Sequence, residues 1–185
     1  MSDPVGREGA DPRASGKPVS VDSTGMSDAR KVAVTDLPDA PNPTRHKKEV
    51  DEALGTTEFG FNYYVADPGQ RLPWATHRHP DHEELFYVLE GELAVELDDG
   101  VLPVTAGEAV FVPPETTNLA RAVGETPARV IAVGAPKDRD GAVIEEECPA
   151  CGAESDRTYS VDGDDYVLSC AACGAAVDRL TPGPE

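Results

Sequence analysis

Long apolar runs are missing from this chain of 185 residues. No stretch approaches the ~20 consecutive apolar residues that a membrane-spanning helix needs. Positive charge is scarce as well. Sixteen Lys and Arg, only five of them Lys, stand against 35 Asp and Glu, for a formal net charge of −19. Nucleic acid and anionic membrane surfaces are held by Lys and Arg, so neither is an expected partner. The opening stretch MSDPVGREGADPRASGKPVSVDSTG is polar throughout. It has no apolar core ahead of a cleavage site and no twin arginine, which makes the cytoplasm the expected location. Gly-rich phosphate loops and Ser-His-Asp arrangements are absent too.

The acid excess suits a halophile-like protein that stays hydrated in molar salt, where the Debye length falls to roughly 3 Å and self-repulsion weakens. An ordinary acidic protein with disordered ends has the same balance.

Residues 1–57 are rich in Pro, Gly, Ser and Asp without a sustained apolar period, and read as a mostly disordered extension. Within it, residues 44–54 predict a short helix capped by Thr44, with Val50 and Leu54 on one face. From Glu58 the pattern changes to short strands. EFGFNYYVA puts Phe59, Phe61, Tyr63 and Val65 on one face, and DPGQ turns the chain. ELFYVLE and ELAVEL flank Gly91, DDG at 98–100 reads as a hairpin turn, and EAVFVP, TNLARAV and ARVIAVGA follow at short spacing. Residues 58–136 therefore predict an all-β unit of two packed sheets or a closed barrel.

Three of the four histidines fall in THRHPDHEELFYVLEGEL. His77 and His79 are two apart, so in a strand they point to the same side, and Glu84 returns on the next strand. Two imidazoles and a carboxylate form a facial set suited to Fe(II), Mn(II), Ni(II) or Zn(II), with positions left for water or substrate. A polar pocket without metal is the alternative. His82 and Glu83 lie in the connection PDHEE, where a solvated loop is the default. Trp74 and Tyr63 either line the barrel mouth or pack in the core. His46 is expected to be solvated in the tail.

The spacing of His77, His79, Glu84 and Gly91 resembles the first motif of the cupin superfamily, as do Pro68, Gly69 and the FYVLEGE tail. The second motif of that family, Gly-x5-Pro-x-Gly-x2-His-x3-Asn, is matched only by Gly107 and Pro113. Glu115 stands at its Gly, Asn118 at its His and Ala122 at its Asn. The resemblance implies a cupin-type double-stranded β-helix, a jelly-roll barrel, over residues 58–136. It also implies a fourth ligand position, where Asn118 offers only an amide oxygen, and it makes a homodimer an expected assembly.

Four cysteines form a second signal: CPACG at Cys148 and Cys151, CAACG at Cys170 and Cys173, with 18 residues between the pairs. This is the arrangement of a structural zinc site in which four thiolates surround one ion. Gly152 and Gly174 supply the positive φ that each knuckle needs. RTYSV, DGDD and YVLSC read as a hairpin, so residues 147–180 resemble a zinc ribbon, joined through a linker at 137–146. An iron site of rubredoxin type and a pair of disulfides are the alternatives. Four Lys and Arg against twelve Asp and Glu over residues 137–185 argue against nucleic acid at the ribbon. A protein partner or a stabilising cap on the barrel fits better.

Two functions lead. One is a metal-dependent enzyme on a small polar molecule, of oxygenase or sugar-isomerase type by resemblance. The other is a non-catalytic small-ligand binder whose ribbon contacts a protein partner. A purely scaffolding role is the third.

Overall fold

The structure, a computed structural model, describes residues 28–183. Thirteen strands and one short α-helix appear among them: β1 (His46–Glu49), α1 (Val50–Leu54), β2 (Gly60–Ala66), β3 (His77–Arg78), β4 (Glu83–Glu90), β5 (Glu92–Leu97), β6 (Gly100–Thr105), β7 (Ala109–Val112), β8 (Asn118–Val123), β9 (Ala128–Ala135), β10 (Val143–Ile144), β11 (Arg157–Asp162), β12 (Asp165–Cys170) and β13 (Ala176–Leu180). Pairing is antiparallel throughout and gives three sheets, ordered β1-β2-β9-β4-β7, β10-β3-β8-β5-β6 and β11-β12-β13. The first two face each other over the core, and the third is built from the cysteine-rich region. The fold is all-β, with two facing antiparallel sheets as expected for residues 58–136.

Period-two alternation decides what enters the core. Phe86 and Val88 of β4, Leu93 and Val95 of β5, and Ala128 and Val130 of β9 are buried between the sheets. Their neighbours Leu85, Tyr87 and Leu89 face outward and are exposed. Gly91 joins β4 to β5 at φ +76, and a Cβ there would come within 2.8 Å of the Ala128 Cα and the Pro127 carbonyl. Only glycine satisfies both demands. The two-residue turn at Asp98 and Asp99 closes the expected hairpin, with Leu97 opposite Gly100.

Several expectations need correction. The face of β2 that meets the core carries Tyr64 and Ala66, while Phe61, Tyr63 and Val65 lie on the half-buried outer side. Residues 44–49 do not start a helix. Thr44 Oγ1 donates to Asn42 Oδ1 at 2.9 Å, His46–Glu49 pair with β2, and α1 follows without a side-chain cap. The segment before Glu58 is thus an edge of the barrel, with Leu37 and Val50 buried. The expected disorder of residues 1–27 lies outside the described residues. The connection at 137–146 is anchored too: Val143 and Ile144 pair with Arg78 and His77 of β3. β3 is therefore flanked by β8 on one side and β10 on the other, and β10 leads within four residues to Cys148.

Candidate functional site

His77 and His79 leave β3 on the same side and meet Glu84 from β4. His77 Nδ1 lies 3.1 Å from the Ala75 carbonyl, which fixes the proton on that nitrogen and turns Nε2 toward the carboxylate. His77 Nε2 is 3.5 Å from Glu84 Oε2, His79 Nε2 is 3.6 Å from Glu84 Oε1, and the two rings stand perpendicular at 4.9 Å. Burial would raise the Glu84 pKa, but hydrogen bonding to the two histidines wins and holds it far below the usual carboxylate range. Burial likewise opposes charge on His79, yet the Glu84 carboxylate raises its pKa above the ordinary imidazole value.

Asn118, opposite His77 in the β3–β8 pairing, is almost wholly buried. Its Nδ2 donates to Glu84 Oε2 at 3.2 Å, and its Oδ1 has no hydrogen-bond partner among the described residues. The ligand atoms of His77, His79 and Glu84 lie within 4.8 Å of one another. An ion about 2.1 Å from each would want edges of about 3.4 Å in a tetrahedral arrangement. The set therefore fits a divalent ion, and Asn118 meets it through its amide N–H on Glu84.

Glu115 stands in the turn before β8 at φ +63, in the left-handed region that glycine takes most readily. Its N–H donates to the His79 carbonyl at 2.8 Å, and its carboxylate pairs with Arg78. This turn thus fixes the backbone of a candidate ligand.

A cavity of about 180 Å³ opens beside the histidines. Its floor is small: Gly60, Ala132 and Gly134, on β2 and β9. Its walls are polar and come in part from residues that the sequence pattern did not single out, namely Lys47, Glu49, Asp51, Asn62, Lys137 and Asp140. The inward parity of Asn62 beside Tyr64 was the one local signal available. Trp74 and His77 line an adjoining cavity of about 200 Å³, whereas Tyr63 points outward and accepts a bond from Arg129 at 3.0 Å. Glu83 is exposed.

His82 is not solvated, contrary to expectation. It is buried, its Nδ1 lies 2.9 Å from the Pro136 carbonyl, and its ring centroid is 4.9 Å from that of His79. With the proton on Nδ1, Nε2 is left as an acceptor. That atom lies over Gly134, where any Cβ would come within 2.0 Å of it. His46 is also engaged, with Nδ1 3.0 Å from Asp39 Oδ2.

The four cysteines converge in the third sheet. All four sulfurs lie within 4.8 Å of one another, with Cys148–Cys173 and Cys151–Cys170 both at 3.9 Å. A disulfide needs about 2.05 Å, so no bond joins either pair. Thiolates about 2.3 Å from a tetrahedral ion stand about 3.8 Å apart, so the set fits zinc. The two knuckles repeat the same bonds: Gly152 N to Cys148 O and Gly174 N to Cys170 O, both at 2.8 Å. Ser155 Oγ at 3.1 Å, with backbone N–H groups, brings the Cys170 thiol down to about 6, toward the thiolate that binds metal.

The family model described as "Cupin domain" matches residues 62–134. Protein SchB of Streptomyces halstedii is 32% identical over 109 residues, covering 56% of this chain and 75% of its own length. The chain belongs to the cupin superfamily. Polyketide synthase CurC of Streptomyces cyaneus is 34% identical over 78 residues, 42% of this cupin and 49% of the relative, so about half of that protein is spanned. Among solved structures, a cupin-superfamily sugar phosphate isomerase from Silicibacter pomeroyi superposes with a TM-score of 0.57 at 18% identity, covering 80% of this chain and 99% of that one. The polyketide cyclase RemF from Streptomyces resistomycificus gives 0.50 at 24%, covering 62% and 83%. Both support the cupin fold.

Proposed function

We propose that this cupin is a metal-dependent enzyme acting on a small polar molecule held in the barrel cavity. The observation that carries the reading is the convergence of His77, His79 and Glu84 beside a cavity that His79, Glu84 and His82 line. A divalent ion of the Mn, Fe, Ni or Zn class held there would polarise a substrate oxygen. The chain's own residues would do the rest. His82, which lines the cavity, would serve as the proton acceptor, with the Pro136 carbonyl holding its tautomer and Gly134 leaving room for its ring. The polyketide-synthase name of the CurC relative makes keto- and hydroxyl-bearing molecules substrates to assay early.

The alternative is a non-catalytic binder of a small ligand. It is favoured by Asn118, whose amide donates to Glu84 instead of presenting a fourth imidazole. Turnover of any screened substrate that falls with His82→Gln, while ligand affinity is retained, separates the two. Binding without turnover across the screen would leave the binder reading.

The Cys148, Cys151, Cys170 and Cys173 unit is read as a structural zinc ribbon, with residues 147–180 as its extent and a protein surface as its partner. A second copy of the chain is the expected partner of the outer β4 face, where Leu85, Tyr87 and Leu89 are exposed. Sedimentation would register Leu85→Asp as a shift from dimer to monomer. The acid excess supports a soluble, cytoplasmic, salt-tolerant protein that avoids nucleic acid and membrane. Metal analysis of the full chain tests the metal assignments together: two ions per chain are expected, one of them zinc. A single ion lost with the cysteines would remove the barrel metal.

A further inference from the structure

Tyr64 of β2 stands directly opposite Lys47 of β1. Residues opposite each other in an antiparallel pair share one face of the sheet, so Lys47 follows Tyr64 toward the barrel interior. Both line the cavity beside the histidines and also the adjoining one, and so does His79. The pair thus lies where the two cavities meet, in the company of a candidate metal ligand.

Tyr64 is only 8% exposed, yet its hydroxyl has no hydrogen-bond partner among the described residues. The side-chain atoms that are both unpartnered and sealed from solvent belong to Asp39, Asp51, Asn62, His79 and Asn118, and the Tyr64 oxygen is not one of them. It is therefore open to the space that Tyr64 lines. Burial raises its pKa, and the charges that act on it are those of the cavity wall, first Lys47, then Glu49, Glu84 and Asp51. The phenol keeps its proton at neutral pH and is a donor. The Lys47 ammonium gives one N–H to Glu49 Oε1 at 2.9 Å and has others to spare, since no second acceptor bonds it among the described residues. Burial works against its charge, but Tyr64 and Glu49 outweigh that and raise its pKa above the ordinary lysine value.

Two donors side by side call for an acceptor. Glu49, Asp51, Glu84 and Asp140 outnumber Lys47 and Lys137 along this wall, and Lys137 is already paired with Asp51 at 2.7 Å. A carboxylate or phosphate would add to that excess, whereas a carbonyl oxygen accepts hydrogen bonds without adding charge. The geometry points to the Tyr64 hydroxyl and the Lys47 ammonium as a donor pair for an uncharged carbonyl oxygen, so that the ligand of this barrel is a keto compound. This rests on the barrel being a ligand-holding site and adds the chemistry of the ligand atom it reads.

Calorimetric titration of the full chain, with and without added Mn(II), tests it with acetylacetone as the keto probe, pentanediol as its hydroxyl counterpart and glutarate as its carboxylate counterpart. The expected result is acetylacetone binding, with glutarate at least about tenfold weaker. Tyr64→Phe should weaken acetylacetone by about tenfold, the scale of one hydrogen bond whose partner is left unpaired. Its melting temperature and Mn(II) uptake should match the parent, because the lost hydroxyl has no protein partner. A fall of several degrees would make the hydroxyl structural and overturn the pair. Lys47→Met should weaken acetylacetone as well; should it fail to fold, Tyr64→Phe decides alone. Tighter binding of pentanediol or glutarate than of acetylacetone overturns the proposal. So does the absence of acetylacetone binding, or an affinity that neither variant moves. Acetylacetone binding that requires Tyr64 without any Mn(II) uptake would instead refute the metal reading and leave the donor pair standing.

Discussion

Asn118 Nδ2 donates to Glu84 Oε2 across 3.2 Å, so the residue standing where the cupin motif has its second-motif histidine orients a carboxylate. The amide can hold Glu84 in place with or without an ion, while its buried Oδ1 has no hydrogen-bond partner among the described residues.

Asn118→His replaces an amide by an imidazole at that position. Mn(II) or Ni(II) affinity should rise by at least about tenfold, which is about 1.4 kcal/mol. His79→Ala, which leaves one imidazole and one carboxylate, should abolish uptake. Titration of the three proteins by competition with a chelator reads both effects. Equal, negligible uptake by all three would leave the histidines as a polar pocket without metal.

Glu115→Gly tests the turn beneath His79. A non-glycine residue in the left-handed region carries roughly 1–2 kcal/mol of strain, and the exposed Arg78 pair lost in exchange contributes little. Arg78 also keeps Glu145 at 2.8 Å. The melting temperature should stay level or rise by a few degrees. A fall of several degrees would mean that the ion pair holds the turn.

Cys151→Ser removes one thiolate from a closed four-ligand set. Zinc per chain should fall by one, and amide exchange should accelerate through β11, β12 and β13. The barrel strands should keep their protection. Anchors independent of the cysteines hold β10, including Glu145 N to the Thr76 carbonyl at 2.9 Å and Glu146 Oε1 to Arg71 at 3.1 Å. Unchanged zinc content would refute the ribbon assignment.

Glu145 gives an acid-side signature. Thr117 Oγ1 donates to it at 2.6 Å and Arg78 Nε at 2.8 Å, and these bonds lower its pKa against the opposing effect of burial. A carboxylate whose folded pKa is depressed adds stability that is present above its unfolded pKa, about 4.3. That stability is lost as pH falls from there through the folded value. Glu145→Gln should be less stable than the parent at neutral pH, and the difference should shrink as melts are taken below about pH 4. A constant difference across that range would show that its bonds do not depend on ionisation.

Two kinds of information were available in the order of residues alone. His77, His79 and Glu84 fall within eight residues, and strand alternation is local, so their convergence follows from short-range geometry. The cysteine knuckles are shorter still, and the left-handed glycines behind them are local requirements. The strand succession from β2 to β9 was legible for the same reason, as was the hairpin at Asp98 and Asp99. Which face of β2 turned inward was not, because that depends on the partner strand. Phe61, Tyr63 and Val65 alternate as well as Tyr64 and Ala66 do, and only pairing with β9 and β1 makes the smaller set the core. The cavity wall was hidden more deeply. Asp51 meets Lys137 across 86 positions of chain, Glu49 meets Asn62 only through the β1–β2 register, and His82 is buried because Pro136 and Gly134 come to it from β9 and beyond. Local pattern sets which atoms are able to hold an ion. Long-range strand pairing, driven by burial of the apolar faces, decides what surrounds them and therefore what they can recognise.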